Sequence, residues 1–176
     1  RGRGLPRATW GTAFAHAGIG MALIGIVCET TWNSEYIGSM KPDAVAKVAG
    51  YELKLDGVTQ RQGPNFREMI AQFTVSLDGK TLSVMTPSKR NFTTRGSSTT
   101  EAALLTRGAS QLYISLGDTT AEGALAVRIY HKPLVLLIWW GPVLMAFGGM
   151  LSLSDRRLRV GAPKPAKASR ALQAAE

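Results

Sequence analysis

The chain has 176 residues, room for one ordinary domain, with 45% hydrophobic residues and a net charge of +9. One cysteine excludes an intramolecular disulfide, and two histidines leave little material for a zinc site or a histidine-based hydrolase. The apolar residues are not spread evenly. They gather in two runs almost free of charge, 9–28 and 133–154, each long enough for an α-helix to cross roughly 30 Å of hydrocarbon.

The charge is distributed around these runs. Residues 1–7 hold three Arg and no acid, residues 154–176 hold six basic and two acidic residues, and residues 29–132 are close to balance with twelve and ten. Short positive flanks stay on the cytoplasmic side, so both ends are expected there and the middle outside. A surplus that flanks apolar helices is not the single basic face of a nucleic-acid-binding domain. A secretory signal peptide is the rival for residues 1–28, but the apolar run exceeds a usual signal core and no clear A-x-A site follows it. Arg1 in place of Met suggests a fragment or a processed product.

In chain order, 1–8 is a basic cytoplasmic segment, with Pro6 before the first helix and Thr9 as a plausible N-cap. A transmembrane helix follows over 9–28, and Glu29 to Trp32 reads as the exit into water. Gly11, Ala15, Gly18, Ala22 and Gly25 recur at steps of three and four, a small-residue stripe that lets another helix approach closely. Cys28, near the outer end, reads as a small apolar residue.

Residues 29–132 are expected to form an extracytoplasmic β-rich domain. Tyr51 to Leu55 alternates, and Asp56-Gly57 reads as a turn. Met69 to Leu77 is a longer strand, and Leu77-Asp78-Gly79-Lys80 is the strongest hairpin signal, returning over Thr81 to Thr86. Residues 88–100 are polar and rich in Ser and Thr, which suggests a loop. Gln111 to Leu116 and Ala124 to Tyr130 give two more strands, linked through 117–120. A small antiparallel sheet or barrel fits this pattern. The second transmembrane helix covers 133–153, with Pro133 in its first turn, Trp139-Trp140 and an internal Pro142. Residues 154–176 read as a basic, disordered cytoplasmic tail.

His16 is the residue that points to chemistry. It lies well inside the first span, where an imidazole still needs partners for its N–H and its lone pair. A bond to a neighbouring helix would satisfy it, and so would ligation of haem iron in a helix bundle. Gly20, one turn on, would leave room for a flat ring. His131, between Tyr130 and Lys132, reads as a solvated interfacial residue, and Trp139 and Trp140 as packing or lipid contacts. Gly63-Pro64-Asn65-Phe66 is a turn without implied chemistry.

Several stretches, taken together, resemble the C-terminal quarter of the cytochrome c maturation protein F family (CcmF, the haem lyase of the bacterial system I pathway). They are Trp10-Gly11 with His16 and Gly18, Gly63 to Arg67, Thr100 to Ala103, Leu112-Tyr113, and Gly123-Ala124 through Val127-Arg128. Tyr130 to Pro133, Ile138-Trp139 and Gly148-Gly149 complete the pattern, which is carried by order and spacing rather than by any one motif. The resemblance implies a multi-pass protein of the bacterial inner membrane that joins haem to apocytochrome c on the periplasmic side. It also implies that His16 is one axial ligand of the iron of a b-type haem in the membrane. The second axial histidine, the external haem-binding histidines and the tryptophan-rich segment of the family lie upstream of the matched stretch. No ligand role carries onto His131, and no catalytic residue is assigned.

Implied partners are the haem-delivering chaperone, the apocytochrome-handling proteins of the maturation complex and apocytochrome c, with no nucleic acid. The full-length chain would be the enzyme, and this stretch alone would be inactive. Two alternatives stand beside this reading: a non-catalytic membrane-anchored scaffold whose β-domain binds partner proteins, and a secreted domain with a cleaved leader.

Overall fold

The computed structural model describes residues 5–94 and 96–155. The basic ends expected at 1–8 and 154–176 therefore lie outside the described residues except for 5–8 and 154–155. The chain divides into two compact units: the described part of 1–20 with that of 140–176, and residues 21–139.

Among the described residues a helix α1 (Arg7–Trp32) precedes ten strands, and a helix α2 (Leu136–Leu153) follows them. The strands are β1 (Ser34–Met40), β2 (Val45–Val48), β3 (Tyr51–Gln62), β4 (Phe66–Leu77), β5 (Lys80–Met85), β6 (Ser88–Phe92), β7 (Ser97–Glu101), β8 (Ala103–Arg107), β9 (Ser110–Thr119) and β10 (Leu125–Lys132). Every pairing is antiparallel. One sheet runs β1-β10-β9-β8, and the other β2-β3-β4-β6-β7 with β5 also on β4. Alternation along the strands turns one face of each sheet inward. Leu53, Leu55, Phe73 and Val75 of the larger sheet meet Met40, Leu112, Ile114, Val127 and Ile129 of the smaller in one apolar core.

The expected small antiparallel β-domain is thus realised as two facing sheets. The Asp78-Gly79 hairpin forms with both residues at positive φ, 51° and 74°, the turn type whose twist matches the strands. Other segments differ from expectation. Asp56-Gly57 makes no turn: β3 continues through it, and the register against β4 shifts between Leu55 and Gly57. A bulge uses the same residue types as a turn. Residues 88–100 are not a loop but contribute β6 and most of β7. Their polar side chains find partners across the sheet, as described below. Residues 117–119 belong to β9, and the turn falls at Thr120–Gly123, closed by Gly123 N–H to the Thr120 carbonyl at 3.0 Å.

β1 pairs with β10 from Ser34–His131 to Met40–Leu125, so the chain enters and leaves the sandwich side by side. Lys132 Nζ reaches Glu29 Oε1 at 2.7 Å and ties the two connections together. Leu134 adopts a left-handed φ of 55°, which delays α2 to Leu136 instead of letting Pro133 open the helix.

Candidate functional site

The first unit is a helix pair. Gly11 and Gly18 of α1 are buried against Gly148 and Gly141 of α2. A Cβ at Gly18 would lie 2.6 Å from the Gly141 carbonyl oxygen, and one at Gly148 would lie 2.5 Å from the Gly11 carbonyl oxygen. The small-residue stripe is therefore where backbone meets backbone. Phe14 and Phe147 add an edge-to-face contact at 5.6 Å.

His16 stands on the other side of α1, exposed. At 100° per residue it is roughly opposite Gly18. Its Nδ1 lies 2.8 Å from the Thr12 carbonyl oxygen. A carbonyl only accepts, so Nδ1 carries the proton and Nε2 keeps its lone pair facing outward. This bond fixes the tautomer and ring orientation, as second partners do for metal-bound histidines. Gly20, the next turn on this face, has open space where a side chain would begin. Among the described residues no group of three or more His, Cys, Asp or Glu could hold a metal ion. A single outward imidazole beside an open glycine suits a metal that brings its own planar ligand, as haem iron does, rather than a bare ion.

The remaining expected positions each have their own surroundings. Cys28 is buried and packs as a small residue. Trp139 and Trp140 are exposed on α2, at 70% and 59%. His131 is half-buried on β10, with its ring 5.7 Å from that of Tyr51. Burial there holds its imidazole below the usual value, so it favours the neutral form.

The sandwich contains a charged cluster that has no sequence signal of its own. Glu68 on β4 is 4% exposed. Its Oε1 accepts hydrogen bonds from Ser88 Oγ at 3.0 Å and Arg90 Nε at 2.8 Å, and Arg61 Nη2 lies 2.9 Å from Oε2. Arg90 also reaches Glu101 Oε1 at 2.5 Å and sits 5.1 Å over the Phe66 ring. Burial pushes the Glu68 carboxyl up, but the bonds from Ser88 and Arg90 and the charges of Arg61 and Arg90 outweigh it and hold it below the usual carboxylate range. The cluster assembles only when β3, β4, β6 and β7 are in register, which is why 61, 68, 88, 90 and 101 look unrelated along the chain.

A two-sheet antiparallel sandwich set in sequence between two helices long and apolar enough to cross a membrane defines a membrane-attached β-sandwich class. Residues 31–133 match the family model described as the CcmF C-terminal β-sandwich, and the chain belongs to that family. Over its whole length it is 82% identical to the cytochrome c-type biogenesis protein CycK of Bradyrhizobium diazoefficiens, covering 27% of that protein. It is 38% identical to the cytochrome c-type biogenesis protein CcmF of Pseudomonas aeruginosa, over 90% of this chain and 24% of that one. With CcmF of Escherichia coli the identity is 37%, over 85% of this chain and 23% of that protein. A solved structure titled cytochrome c haem lyase CcmF shares the fold with a TM-score of 0.69 at 16% identity, over 84% of this chain and 25% of that one. The chain thus spans about a quarter of the length of the relatives it matches.

Proposed function

We propose that this chain is the C-terminal part of a cytochrome c biogenesis haem lyase, anchored in the bacterial inner membrane, with its sandwich in the periplasm and His16 as an axial ligand of a b-type haem. The observation that carries the reading is the His16 geometry: Nδ1 is committed to the Thr12 carbonyl, and Nε2 is left outward on an exposed helix face beside an open glycine. The names of the relatives support the biogenesis role, and the basic ends support the orientation.

In this reading α1 divides its surface. Gly11 and Gly18 hold α2 at backbone distance, and the His16–Gly20 side stays available to helices of the longer protein that supply the second ligand. The bond to the Thr12 carbonyl keeps Nε2 from turning back to the helix. When held by His16 and a second ligand, a haem there would supply one-electron redox chemistry. The sandwich would meet the apocytochrome and the haem-delivering and apocytochrome-handling proteins outside the membrane.

The test uses the full-length protein purified in detergent. His16→Ala is expected to lose b-type haem and its Soret band while membrane insertion and expression hold. Unchanged haem content and spectrum would refute the ligand assignment.

A further inference from the structure

The tip of the β3–β4 hairpin has two faces with different electrostatic outcomes. On one, Arg61 and Arg90 close over Glu68. On the other, the register aligns Gln62–Arg67–Asn91 as one cross-strand row and Gln60–Met69–Lys89 as the next. Gln60, Arg67, Met69, Lys89 and Asn91 line a recess of about 240 Å³ that Glu68 also reaches, bordered by Asp118 and Thr119 at the end of β9. A second recess of about 240 Å³ adjoins it and shares Gln60 and Arg67.

The charges in this recess do not cancel. Asp118 is held by Lys89, Nζ to Oδ1 at 2.5 Å, and Glu68 is held by Arg61 and Arg90. Arg67 is left without a hydrogen bond or an anion among the described residues, and the side-chain amides of Gln60 and Asn91 are also unpartnered there. The frame beneath them is stiff. The Phe66 ring packs on Phe92 at 6.0 Å and under the Arg90 guanidinium. Gly63 N–H donates to the Phe66 carbonyl at 2.8 Å, and a Cβ at Gly63 would lie 2.5 Å from the Phe66 ring. Arg67 follows directly on this clamped turn.

We propose that this recess binds a carboxylate. The Arg67 fork would take its two oxygens, and the N–H groups of Gln60 and Asn91 would complete the donor set. One spare positive charge matches a singly charged group. A doubly charged phosphate would face Asp118 and Glu68 with its second charge uncompensated. The carboxylate is that of a free small acid or of an Asp or Glu side chain on a polypeptide. The site does not depend on the haem reading, because it involves neither α1 nor α2.

The test uses the full-length protein in detergent with two singly charged probes: butyrate, and an N-acetylated, C-amidated Gly/Ser nonapeptide with a central glutamate. Butyramide and the same peptide with glutamine are the controls. Saturable binding of the acids but not the amides is expected, weakening as salt is raised. Arg67→Gln should weaken it about tenfold or more, Arg67→Lys less, and Arg128→Gln on the smaller sheet not at all. Much tighter binding of the peptide identifies a polypeptide source, and equal binding of butyrate identifies a free acid. No saturable binding of either acid, equal binding of the amides, or an unchanged Arg67→Gln would overturn the proposal.

Discussion

Gly148 and Gly149 are neighbours on α2 with opposite surroundings, so one substitution at each isolates the steric term of the helix pair. A Cβ at 148 would lie 2.5 Å from the Gly11 carbonyl oxygen and 2.6 Å from the Ala15 nitrogen, while one at 149 meets nothing within 4 Å. Both changes to Ala carry the same helix-propensity gain of about 1 kcal/mol. At 149 that gain stands alone. At 148 both clashing atoms are backbone, so no side chain can turn aside. Restoring an ordinary 3.4 Å contact would part the helices by about 0.9 Å. A gap of that size forfeits roughly a quarter to a half of each contact's dispersion well. Overpacking of this kind costs about 1–3 kcal/mol, enough to reverse the propensity gain. Thermal unfolding in detergent, followed by tryptophan fluorescence, should show Gly149→Ala at or above the parent midpoint and Gly148→Ala clearly below it. Two variants that shift together, in either direction, would refute the backbone-to-backbone packing.

Phe73→Ala, at a fully buried core position, should destabilise the sandwich by about 3–5 kcal/mol in chemical denaturation. Glu68→Gln keeps the shape but leaves Arg61 and Arg90 without their anion, so its thermal midpoint should fall more than that of Lys47→Gln, whose exposed pair with Glu52 is screened by solvent. Because the Glu68 carboxyl is held below its ordinary value of 4.5, its contribution is complete above that pH and is lost as pH falls through the folded value. Glu68→Gln should flatten that acid limb of a stability–pH curve. The His131 ring is held below 6.5, so protonation favours the unfolded chain, and stability should start to decline as pH drops past 6.5. His131→Gln should remove that part of the decline. Ala49→Asn should stabilise by up to about 1 kcal/mol in the same denaturation assay, since residue 49 holds a φ of 48° that Asn tolerates better.

Local chemistry settled the two apolar helices, the small-residue stripe between them and the Asp78-Gly79 hairpin, because each depends on residues a few positions apart. Tertiary structure decided the rest. β2 escaped notice because its turn to β3 uses Ala49-Gly50, with an alanine where Asn or Asp is usual. Residues 88–100 look like a loop until Glu68 and Asp118 arrive to pair with Arg90 and Lys89. Asp56-Gly57 became a bulge because β4 offers partners on both sides of it. His16 was visible as an anomaly in an apolar run, whereas its outward Nε2 became apparent only once the Thr12 carbonyl claimed the other nitrogen. Alternation and turn chemistry act over a few residues, but the register that joins β1 to β10 spans most of the chain. That register decides which polar side chains are solvated and which are matched, because a buried charge is tolerated only where a partner from a distant strand reaches it.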